Sequence, residues 1–118
     1  MEHNSHRLDR ELIGRIIDRQ IPQNRAIGTM QGLADASGVS RSTIYRVVKD
    51  ADPTVGTRTL ARLEAALGLP HDTLITAGVH DLTGLTELGG VPVDLIAWVR
   101  KDLDKNAGQS GADVRTGT

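Results

Sequence analysis

Leu8, Leu12 and Ile16 recur every four residues, with Ile13 and Ile17 beside them. That spacing lines up one apolar stripe and predicts an amphipathic helix from about Arg7 to Gln20. Asp9 and Glu11 lie near its start, and Arg15 and Arg19 near its end, as the helix dipole prefers. Gly14 weakens the helix slightly or permits a close helix contact. Pro22 stops the helix or starts a new turn. Gln23–Gly28 is a polar connection from which Ile27 packs back on the core.

Thr29–Lys49, TMQGLADASGVSRSTIYRVVK, reads as two short helices separated by a tight turn. Thr29 is suited to cap the first, with Leu33 and Ala34 facing inward. Gly38 stands where the chain must turn and a positive φ is needed. Val39 plugs the corner, and Ser40 can cap the second helix. Ile44 and Val47 share that helix's inner face. Arg41, Ser42, Tyr45, Arg46 and Lys49 fall mainly on the faces left over, an arrangement suited to a DNA major groove. An ordinary helical hairpin with a solvated basic face is the alternative. Small Ala34, then Gly38, Ile44 and Val47 at their spacing, favours two helices crossing steeply.

Asp50–Gly56 is a loop. Thr57 is placed to cap a helix over Arg58–Leu67, with Leu60, Leu63 and Leu67 inward and Gly68 just beyond its end. Pro70 leads into a short helix, His71 to about Ala77, burying Leu74 and Ile75. Five short helices therefore fall within roughly Arg7–Gly78, enough for an all-α bundle. Val79–Gly90 reads as a linker or short turn, with Leu82, Leu85 and Leu88 hinting at partial packing. Pro92 opens a further helix, Val93–Lys105, whose stripe is Ile96, Val99 and Leu103, with Leu95 and Trp98 adjacent. Residues 1–6 and the Gly/Ser/Thr-rich stretch 106–118 are expected to be disordered.

The chain of 118 residues has one Trp, one Tyr and no Phe, so its core is aliphatic. Cysteine is absent, which excludes disulfides and thiolate metal sites and fits a reducing cytoplasm. No apolar run approaches the ~18 residues of a membrane span, and MEHNSHRLDR has no apolar signal core. His3 and His6 are three apart, but with no third ligand nearby the solvated reading is preferred. Residues 1–62 carry ten Lys and Arg against seven acids, +3, and residues 63–118 four against eight, −4. Only the first half is suited to meet phosphate. Catalysis is poorly supported: there is no Gly-rich phosphate loop opening a helix and no clustered His and acid set. No cofactor is implied.

Leu33-Ala34, the run Ser37-Gly38-Val39-Ser40-Arg41-Ser42-Thr43-Ile44, Val47, and the trailing Thr59-Leu60-Ala61-Arg62-Leu63-Glu64-Ala65-Ala66-Leu67-Gly68 resemble the Cro/cI-type helix-turn-helix family. The family includes temperate-phage repressors and many small bacterial regulators. The resemblance implies a five-helix bundle over 7–78 that binds operator DNA, usually as a dimer. It implies base-edge contacts from Arg41, Ser42, Thr43 and Arg46, and a backbone contact from Arg58; by their own chemistry Arg46 and Ser42 are equally able to meet a phosphate. Gln31 lies beside the position where the family often has a phosphate-contacting Gln; here that position is Met30, which cannot donate. Gly32 stands where a helix former is usual. Tyr45 and Lys49 are further phosphate candidates, Tyr45 being equally suited to a structural role.

The helix within 79–105 has two readings. It folds back and finishes the monomer core, or it pairs with its twin in a homodimer through Pro92–Lys105. The family's habit favours pairing. DNA contact through Arg100 and Lys101 is opposed by Asp102 and Asp104. The leading function is a sequence-specific repressor of double-stranded DNA, of phage immunity type, in the cytoplasm on a bacterial host nucleoid. The alternative is an antitoxin-like module whose C-terminal helix binds a partner protein.

Overall fold

The computed structural model describes residues 8–117, with side chains described to Asn106. The expectations for residues 1–6, including His3 and His6, and for Thr118 lie outside the described residues. Among those described there are seven helices and no strand. They are α1 (Arg10–Gln23), α2 (Met30–Ser37), α3 (Arg41–Asp50), α4 (Thr57–Ala66), α5 (Thr73–Gly78), α6 (Leu82–Glu87) and α7 (Val93–Gly117).

α1 begins later than its apolar stripe suggests, because the Asp9 carboxylate caps it by accepting from the Leu12 N–H at 3.0 Å. It also runs on through Pro22. The proline lacks the N–H that would bond to Asp18, but Asp18 is exposed and its carbonyl can turn to water. α1 buries Leu12, Ile13, Ile16, Ile17 and Ile21 and is the post on which α3 rests. The contact is close because of Gly14. A Cβ there would stand 2.6 Å from the Val47 carbonyl oxygen and 3.0 Å from that of Val48. Of the two readings of Gly14, the close contact is the one realised.

The turn between α2 and α3 is built as its residues predict. Thr29 Oγ1 accepts from the Gly32 N–H at 3.0 Å. Gly38 takes φ 75° and its N–H closes on the Ala34 carbonyl. Val39 is buried in the corner, and Ser40 Oγ accepts from the Thr43 N–H at 3.2 Å.

Three further elements differ from expectation. Thr57 is the first residue of α4 and caps nothing; Gly56 precedes it with no side-chain cap. α5 starts at Thr73, not His71, because its cap comes from another helix. The buried Glu64 carboxylate of α4 accepts from the Asp72 N–H at 2.9 Å and the Leu74 N–H at 2.8 Å. Burial pushes the Glu64 pKa up, against the pull of those two donors. Within Val79–Gly90, expected as a linker or short turn, Leu82–Glu87 is helical. Asp81 caps α6 through the Gly84 N–H at 2.8 Å, and Leu85 is fully buried.

α7 packs into the core of the chain. Leu95 and Val99 are each 0% exposed and belong to the same buried cluster as Leu12, Ile16 and Leu63. Ile96, Trp98 and Leu103 pack on its margin. Arg15 pairs with Asp102 at 2.7 Å and Arg19 with Asp94 at 3.2 Å, while the Arg19 guanidinium lies 5.7 Å from the Trp98 ring centre. Half-exposed ion pairs of this kind add little, of order 0–1 kcal/mol each; the buried leucine and valine hold the helix down. α7 continues to Gly117, through the stretch expected to be disordered. That stretch has glycine but no proline, so its backbone N–H groups can all continue the ladder. Among the described residues no helix is long and apolar enough to cross a membrane.

Candidate nucleic-acid interface

The rooted side of α3 is Ile44, at 0% exposure, with Val47 and the half-buried Val48. Its opposite side follows from the helical period. Ser42, Arg46 and Lys49 are separated by four and three residues and share the outward face, with Tyr45 at its border. All four are exposed. Arg41 is exposed at the N-terminal end of the helix, on the flank facing α2. There it lines a shallow depression with Gln31, Ala34, Asp35, Gly38 and Ser40.

Several of the expected contact residues are already engaged. The Gln31 amide donates to the Asp35 carboxylate at 2.8 Å. Ser40 Oγ donates to Thr43 Oγ1 at 2.9 Å and lies 3.2 Å from Ser42 Oγ. These hydroxyls form a small polar cluster at the start of α3, and Thr43, half-buried, is its inner member. Arg46 Nε donates to Asp52 Oδ2 at 2.9 Å, across the turn that ends the helix. Arg58 is exposed in the first turn of α4, in a second depression shared with Thr57, Glu64 and His71. The eight expected contact residues are thus exposed apart from Thr43. They divide between the outer face of α3, the α2–α3 corner and the head of α4.

The loop after α3 is rigid in its bonding. Ala51 takes φ 49° and reverses the chain. Asp52 Oδ1 accepts from the Thr54 hydroxyl at 2.7 Å and the Thr54 N–H at 2.8 Å. Arg10 of α1 donates from Nη1 to the Val55 carbonyl at 2.6 Å and the Asp52 carbonyl at 3.3 Å. The Thr54 hydroxyl, the Thr54 N–H and then Arg46 hold the Asp52 pKa down from 3.8 to about 2. Nuclear magnetic resonance titration should therefore find Asp52 still ionised at pH 3. Its folded pKa lies below its unfolded one, so what it adds to stability is complete above about pH 4 and fades as pH falls through about 2. A midpoint near 4 would mean the loop is not bonded this way.

Arg10 and Asp52 have roles here that the apolar pattern does not announce. The signal available was local: an acid followed two residues later by threonine is a common side-chain turn. Among the described residues no cluster of three or more His, Cys, Asp or Glu is placed to hold a metal ion.

Residues 25–74 match the family model described as helix-turn-helix. The match takes in α2, the turn, α3 and α4, and ends just inside α5. No curated protein and no solved structure matches the chain.

Proposed function

We propose that this chain, which carries a Cro/cI-type helix-turn-helix over residues 25–74 and is a DNA-binding transcription regulator, is a sequence-specific repressor of the phage immunity type. It reads the major groove with α3 and blocks a promoter by occupying an operator that overlaps it, on the nucleoid of a bacterial host. One observation carries the reading. α3 is anchored by Ile44 and Val47 while Ser42, Arg46 and Lys49 stand on its open side and Arg41 at its leading end. Arg41 can present two donors to guanine O6 and N7, and Ser42 and Thr43 can reach neighbouring base edges. Gln31, Tyr45, Lys49 and Arg58 contact phosphates and set the register.

Arg41→Ala should cost about 1–3 kcal/mol on the preferred duplex and relax the preference at one base pair. Arg58→Ala should weaken specific and scrambled duplexes alike and reduce the salt slope by about one unit. Titration of both variants on both duplexes at two salt concentrations checks this. Indistinguishable behaviour of the two would refute the division of roles.

The antitoxin-like alternative and a homodimer through Pro92–Lys105 both need an apolar face on α7. Burial of Leu95 and Val99 within the chain leaves them exposed Val93, Ala97, Arg100, Lys101 and Asp104 and the half-buried Trp98, which shares a shallow depression with the last four. The reading of the helix as part of the monomer is the better supported.

A further inference from the structure

Arg46 is the one arginine on the outward face of α3, and it is bonded within the chain. A guanidinium has five N–H donors in a fixed plane. The bond to Asp52 uses Nε–H alone. Among the described residues no other acceptor takes a hydrogen bond from this side chain, so the Nη1–Nη2 edge is left to meet a ligand. The side chain is 46% exposed.

Asp52 is itself held firmly. Its Oδ1 takes two bonds from Thr54, its N–H donates to the Arg46 carbonyl at 3.1 Å, and its own carbonyl accepts from Arg10. The carboxylate is therefore fixed relative to both α1 and the last turn of α3. A long, flexible side chain gripped at Nε by a fixed oxygen can no longer swing freely, and its outer fork keeps one direction.

We propose that Asp52 is a positioning residue for DNA reading. By holding Nε it aims the paired Nη donors of Arg46 at the O6 and N7 of a guanine rather than at a phosphate. The proposal rests on the reading of α3 as the groove-entering helix and deepens it. Two arguments separate base from phosphate. Attraction to a phosphate depends on net charge and counterion release, and a carboxylate 2.9 Å away cancels much of the charge of Arg46. Bidentate recognition of guanine depends on the direction of two donors, which the same carboxylate improves. Asp52 thus lowers indiscriminate affinity and raises discrimination.

The test uses the full chain and starts by selecting a preferred duplex from random DNA with the unaltered protein. If no preferred duplex emerges, the repressor reading itself fails. With one in hand, each G·C pair is exchanged in turn and affinities are compared. Asp52→Asn is the informative variant. Thr54 donates twice to Oδ1, so the new amide keeps its oxygen there and turns its NH2 toward Nε–H, donor against donor. Discrimination at one G·C pair should fall by roughly 5- to 150-fold. Binding to scrambled DNA should hold or tighten, and the salt slope should steepen by about one unit. Arg46→Ala should lose the preference at that same pair, and adding Asp52→Asn to it should change nothing further there. Thr54→Val leaves the ion pair's own atoms in place and should move discrimination the same way to a smaller extent; it carries the test if Asp52→Asn does not fold. Equal tightening on every duplex with each base preference retained would overturn the proposal, because Asp52 would then only screen charge. A thermal shift with no change in binding by the folded protein would overturn it equally.

Discussion

Leu95→Ala should lower stability by about 2–5 kcal/mol and leave the mass of the protein in solution unchanged. Leu95 is 0% exposed and lies in the single buried cluster that also contains the inner residues of α1 and α4. Removing its branched end leaves a hole in that cluster, which the surrounding helices can close only in part. Val93→Ala, two residues earlier on the same helix at 81% exposure, should stay within about half a kcal/mol. Urea unfolding of the two variants gives the comparison, and light scattering gives the mass. A small loss of stability from Leu95→Ala accompanied by a fall in mass would mean that α7 pairs between copies.

What was legible in the sequence was whatever depends on neighbours a few residues away. The stripes of Leu12, Ile16 and Ile44, the caps at Thr29 and Ser40 and the left-handed Gly38 all follow from local spacing and local bonds, and each is present. The misplaced features depend on partners far along the chain. α5 starts late because Glu64 supplies its cap from ten residues before Leu74. α6 forms in a Gly- and Thr-rich stretch because Leu85 finds a place in the core. Gly32 looks like a costly choice inside a helix, yet a Cβ there would collide with the carbonyl of Ile27. The candidate site divides in the same way. The exposed face of α3 was readable from its period, whereas the engagement of Arg46 by Asp52 depends on how the chain reverses at Ala51.

Gly14→Ala should destabilise the fold by roughly 1–3 kcal/mol, and it should weaken specific DNA more than scrambled DNA. Helix propensity alone argues the opposite, since alanine is favoured over glycine by about 1 kcal/mol in a helix interior. Packing decides the sign. The new methyl group would meet the backbone oxygens of Val47 and Val48 at 2.6 and 3.0 Å, and these belong to the last turn of α3, whose backbone cannot rotate aside as a side chain can. α1 and α3 must separate, which loosens Ile44 and Val47 and shifts the outward face of α3 relative to the rest of the molecule. The phosphate contact proposed for Arg58 of α4 keeps its place. Binding that relies on phosphates alone therefore survives better than binding that needs Arg41 and Arg46 in register with base edges. Thermal unfolding and paired titrations read the two effects separately. A stabilised variant, or one that loses affinity equally for both duplexes, would show that the glycine serves neither the crossing nor the placement of the reading helix.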